Sequence, residues 1–111
     1  MQEFKVLGIT QQDDGFGGFY ETKDVTYTSQ GYLDLISGTN DNTMLNAKVE
    51  QSTHILITEY FDWYKSLIDD KKSIQCDGKE FSITYVDNPV GLNHHLEIYL
   101  QYDKSLGEAH E

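Results

Sequence analysis

The sequence predicts a mainly all-β protein: a small antiparallel barrel or sandwich of about six strands, with a long flexible loop and one or two short helices. Three observations lead there. Runs of β-branched, aromatic and aliphatic residues recur along the chain, separated by turn formers at short spacing. Eight Tyr and five Phe accompany a single Pro, which suits packed β-structure rather than disorder. The alternation of strand and helix that marks a parallel α/β sheet is absent. At 111 residues the chain reads as one domain, 1–111, with a modest core.

The elements follow in order. FKVLGIT (Phe4 to Thr10) is a first strand. QQDDGFGG is dense in turn formers: Asp13-Asp14 starts a turn and the glycines supply positive φ. YETKDVTYTS is a long, partly exposed strand. Its alternation puts Tyr20, Thr22, Asp24 and Thr26 on one face and Phe19, Val25 and Tyr27 on the other. Gly31 marks a break, bulge or bend before YLDLI resumes the strand.

Residues 37–52 begin with the polar loop SGTNDNT, and MLNAKVEQS follows with better helix propensity. Asn42 or Thr43 could cap a short helix, but the apolar stripe is poor, so the reading is a flexible loop with nascent helix. THILITEYF is a strand with Ile55 and Ile57 on one face and His54, Leu56, Thr58 and Tyr60 on the other. In FDWYKSLIDDKK the spacing of Phe61, Trp63, Tyr64, Leu67 and Ile68 suits about two helical turns. Asp77-Gly78 is a two-residue hairpin turn, pairing Cys76 with Lys79, Gln75 with Glu80 and Ile74 with Phe81. Phe81, Ile83 and Tyr85 then form the expected core face. Pro89 and Gly91 punctuate the next connection. Leu96, Ile98, Leu100 and Tyr102 alternate along a last strand, and the tail 103–111 has little to pack and is expected to fray.

Chemistry finds little purchase. The glycine run has Tyr20 where a dinucleotide fingerprint needs its last glycine, and a strand follows instead of a helix. His94, His95 and Glu97 suggest a metal, yet on a strand only His95 and Glu97 share a face; His54 and Cys76 could join only through tertiary placement. Cys76 precedes a hairpin turn and reads as a small core hydrophobe. No nucleophile elbow is present. The reading expects no catalytic residue, no metal and no cofactor.

Net charge is −11, from 19 acidic and 8 basic residues. That argues against gripping phosphate backbones, though not against standing near DNA without holding it. The lone cysteine fits a reducing cytosol, MQEFKVLG lacks the features of a signal peptide, and no apolar run is long enough to span a membrane.

Four marks in order are more specific than any one of them: DGFGGFYETKDV, then NTMLNAKVEQSTHILIT, then LIDDKKSIQCDGKEFSITYV, then DNPVGLNHHLEIYL. In this order, from about Asp13 to Tyr102, the chain resembles the head-closure proteins of long-tailed bacteriophages, also called head–tail joining, adaptor or stopper proteins. Two departures stand out. Ile57-Thr58-Glu59-Tyr60 lacks the basic residue common after the T-H strand, and FDWYKSL looks like an insertion.

The resemblance implies a small β-barrel with a long flexible loop after its second strand. It implies a structural virion protein, assembled in the bacterial cytoplasm and placed at the neck between head and tail. There the family forms a homo-oligomeric ring, usually of twelve copies, below the portal and adaptor and above the tail-completion protein. In some members the loops converge on the double-stranded DNA and help retain it. By position the loop candidates are Thr39, Asn40, Asp41, Asn42, Asn46, Lys48 and Glu50. Contact candidates are Phe16, Tyr20, Trp63 and Tyr64, with Phe19 expected inside the barrel. The alternatives are a tail-completion protein one ring lower, or a free-standing β-barrel that binds a peptide or sugar.

Overall fold

Strand-forming runs with only short turns between them must pair with their neighbours, and here the pairing closes on itself. A computed structural model describes residues 1–36 and 52–102. The strands are β1 (Gln2–Asp13), β2 (Phe19–Leu35), β3 (His54–Glu59), β4 (Ser73–Cys76), β5 (Lys79–Asp87) and β6 (His95–Tyr102). They form a closed barrel in the order β1-β2-β3-β6-β5-β4, with every neighbouring pair antiparallel. Closure removes the free edges that an open sheet of this size would expose. The fold is the small all-β barrel, and the sandwich alternative falls.

The interior holds Phe4, Val6, Leu56, Leu67, Ile74, Cys76, Phe81, Leu96, Ile98 and Leu100, with Phe61 at its margin. Leu96, Ile98 and Leu100 are inward as their alternation predicts. On β3 the buried face carries Leu56 and Thr58. Asp77 (φ 54°) and Gly78 (φ 73°) form the β4–β5 turn, and the pairings Cys76–Lys79, Gln75–Glu80 and Ile74–Phe81 are those expected.

Gly31 is neither a break nor a bulge: β2 runs through it, and it is buried opposite Thr58. A Cβ there would lie 2.7 Å from the Ile57 carbonyl oxygen, so glycine is what lets β2 lie close to β3.

Two bulges change which side chains point inward. On β2, Tyr27 faces Val6 and Val25 faces Leu7, leaving Thr26 as an extra residue. Its hydroxyl donates to the Val6 carbonyl at 3.2 Å. Tyr27 therefore packs on the core, whereas Val25 and Phe19 lie on the other face, contrary to the simple alternation. Phe19 is 68% exposed, so its expected place inside the barrel is corrected. On β5 the extra residue is Thr84, which donates to the Tyr99 carbonyl at 3.0 Å. Beyond it the core-facing residue is Val86, while Tyr85 pairs outward with Tyr99.

The β3–β4 connection is also corrected. Instead of two helical turns it has irregular turns followed by a four-residue helix, α1 (Ser66–Asp69). Lys71 takes a left-handed conformation (φ 54°), and the Lys72 N–H donates to the Leu67 carbonyl at 3.0 Å, which stops the helix. Phe61 and Trp63 stack at 4.3 Å and both meet Tyr27. This aromatic group and Leu67 pack against the barrel core. A 3₁₀ turn at Pro89–Gly91 leads into β6.

Candidate assembly surface

β1 pairs with β4 only over Phe4–Leu7, and β2 pairs with β3 only from Gly31 onward. Beyond those points the two strands have only each other. Residues 8–13 and 19–24 form a two-stranded arm that leaves the barrel at the Thr26 bulge. Six residues of strand reach about 20 Å, in keeping with overall dimensions of 52 × 28 × 26 Å. A two-stranded ribbon is only marginally stable alone. This one is tied down at its base, where Lys23 Nζ lies 2.6 Å from Glu80 Oε2 and the Ser73 hydroxyl donates to the same oxygen at 2.9 Å. Lys23 comes from the arm and Glu80 from β5, so the ion pair joins arm to barrel wall.

The arm tip is the DDGFGG run, and its geometry is that of a built turn. Gly15 (φ 83°) and Gly17 (φ 89°) adopt conformations that side chains disfavour. The Gly15 N–H donates to Asp13 Oδ1 at 2.8 Å; those of Phe16 and Gly18 donate to Asp14 Oδ1 at 2.7 and 3.0 Å. The aspartates thus cap the turn from within. Phe16 stands at its apex, 92% exposed. Register assigns the arm two faces. Leu7, Ile9, Gln11 and Asp13 share one with Phe19, Glu21, Lys23 and Val25; Thr10, Gln12, Tyr20, Thr22 and Asp24 share the other. Ile9, Phe19 and Val25 are all exposed on the first face, interspersed with Gln11, Asp13, Glu21 and Lys23.

A second feature lies on the outer wall, where β2, β3 and β6 meet. Met1, Gln30, Tyr32, Ile57, Thr58, Glu59, His94 and His95 line an open depression of about 200 Å³. Met1 and Tyr32 are themselves exposed large hydrophobics.

The residues singled out in the sequence distribute as follows. Phe16 and Tyr20 are exposed on the arm. Trp63 and Tyr64 are half-buried and pack on the core, Tyr64 with its ring 5.9 Å from Tyr60. The loop candidates Thr39, Asn40, Asp41, Asn42, Asn46, Lys48 and Glu50 lie outside the described residues, as does the tail 103–111. Ser52, placed at the loop's end, belongs to the barrel: it is buried and its hydroxyl lies 2.6 Å from that of Thr84. Ile9, Val25, Tyr32 and Ile57 were not singled out. Period-two alternation would have found Ile9 and Val25 together only with the Thr26 bulge known.

The titratable groups fit packing. His95 Nε2 lies 3.2 Å from Glu97 Oε2, while His54 sits at the far end of β3 from Glu59, the partner of His95. Among the described residues no three His, Cys, Asp or Glu side chains are grouped to hold a metal ion. Burial, then the Asp77 charge, pushes the Cys76 thiol up, away from the reactive thiolate. The Tyr99 phenol is also pushed up, by burial first and then by Glu97, Asp87 and Tyr85.

Burial lowers the pKa of His54, helped by Lys79 and opposed by Asp77; its ring meets Phe81 edge-on at 4.9 Å. A histidine held neutral by the fold stabilises it above the unfolded value, near 6.5, and that contribution is lost as pH falls through the lower folded value. Between pH 7 and 5 the wild type is expected to lose more in melting midpoint than His54→Gln. Parallel pH profiles for the two proteins would contradict this.

No family model matches the chain, and no curated protein matches it.

Proposed function

We propose that this chain is a non-catalytic structural protein of a phage neck, a connector ring subunit that closes the DNA-filled head beneath the portal and adaptor. The observation that carries the reading is the conjunction of the four ordered sequence marks with a closed six-stranded barrel. The Ile36 N–H donates to the Thr53 carbonyl at 2.9 Å, so the described residues after β2 and before β3 meet at one point. That point is at the end of the barrel that also carries the Asp77-Gly78 turn, opposite the arm. A ring subunit needs a surface for its neighbours, and the arm lies at the other end of the barrel from the β2–β3 connection.

The charge supports the same role. A wall of net negative charge repels phosphate and lets a duplex slide instead of binding it. The chain's net charge of −11 suits a conduit better than a clamp. Among the described residues no helix is long and apolar enough to cross a membrane, which is compatible with a virion protein assembled in the cytoplasm. The test is to add the purified chain to portal–adaptor complexes and image them for a further ring. A tail-completion protein would instead dock on the tail end.

A further inference from the structure

The arm tip and the wall depression have matching chemistry, and they lie on different parts of one chain. We propose that Phe16 of one copy seats in the depression lined by Tyr32, Ile57 and Met1 of a neighbouring copy, joining subunits head to tail. The inference rests on the ring reading and names the contact that would build the ring.

Four observations carry it. First, size: a cavity of roughly 150 Å³ admits a benzene ring, and the depression measures about 200 Å³. Second, polarity: Met1, Tyr32 and Ile57 in its lining suit an aromatic side chain, with Glu59, His94 and His95 beside them. Third, preorganisation: the three carboxylate-capped N–H groups and the paired strands fix the tip before contact, so little ordering cost falls on binding. Fourth, symmetry: knob and socket are different surfaces, so the contact is heterologous and closes into a ring or runs on as a filament.

The experiment places the photo-crosslinker p-benzoylphenylalanine at position 16 of the full chain. The chain is irradiated after assembly on portal–adaptor complexes, and the linked peptides are mapped by mass spectrometry. Linkage between copies to the peptides holding Met1, Tyr32, Ile57 or His94–His95 is expected. In parallel, Phe16→Ala is expected to weaken ring assembly roughly 10- to 100-fold with an unchanged melting midpoint, since the side chain is exposed. A ring that forms with position 16 linked elsewhere or not at all overturns this contact and leaves the ring reading standing. Absence of any ring overturns both.

Discussion

Gly31→Ala is expected to destabilise the barrel by about 2–3 kcal/mol, measured by urea denaturation. Two effects oppose each other at this site. Alanine in place of glycine restricts the unfolded chain, which alone favours the variant by about 0.4–1 kcal/mol. Against that stands a collision with backbone. The added Cβ would lie 2.7 Å from the Ile57 carbonyl oxygen and 3.1 Å from Leu56 Cδ1. The leucine can turn, but the carbonyl is held in the sheet. Relief requires β2 to move away from β3, and Gly31–Leu35 is the whole of their pairing. Gly31 does not have a positive φ, so the loss would be steric. A stability equal to or above wild type would show that β2 and β3 are not packed this closely.

Phe81→Ala is expected to cost about 3–5 kcal/mol, a large share of the 5–15 kcal/mol typical of a whole domain. Phe81 is fully buried and follows the tight turn of the β4–β5 hairpin by three residues. It faces Ile74 on one neighbouring strand and Tyr102 on the other, with its ring 5.9 Å from that of Tyr102 and 4.9 Å from His54. Truncation removes apolar burial and leaves a void that a closed barrel cannot collapse easily. A fall in melting midpoint of more than about 10 °C is expected. A loss under about 1 kcal/mol would contradict the placement of this ring at the centre of the core. The variant carries a second readout: His54 loses an aromatic neighbour and gains solvent, so its titration should move back towards the ordinary histidine value.

These variants also mark what was legible in the sequence. The β4–β5 register was fixed by a two-residue turn whose chemistry admits few alternatives. The inward set Leu96, Ile98 and Leu100 followed from alternation alone, because β6 has no bulge over those residues. The DDGFGG turn was readable because glycine and aspartate act locally. Where distant partners decide, the sequence was silent. The bulges at Thr26 and Thr84 are set by how neighbouring strands must twist to close a barrel, and each reversed the face assignment beyond it. The helical spacing of FDWYKSLIDD was real but overridden, since Phe61 and Trp63 are recruited to Tyr27 on another strand.

The candidate surface was half legible. Phe16 stood out as an aromatic inside a turn, and it is exposed. Alternation put Phe19 and Val25 on one face; placing Ile9 with them needed the cross-strand register. The depression draws on Met1, Tyr32, Ile57 and His95, residues from four strand regions that only closure of the barrel brings together. Trp63 and Tyr64, also named as contact candidates, are half-buried and pack on the core in the crossover from β3 to β4.

Electron microscopy tests the proposed ring on the phage head. Purified chain is mixed with portal–adaptor complexes, and the particles are averaged along the channel axis. One added symmetric layer of barrel-sized subunits beneath the adaptor, matching the symmetry of the adaptor ring, is the predicted result. Complexes that remain unchanged while the folded chain stays free in solution would contradict it.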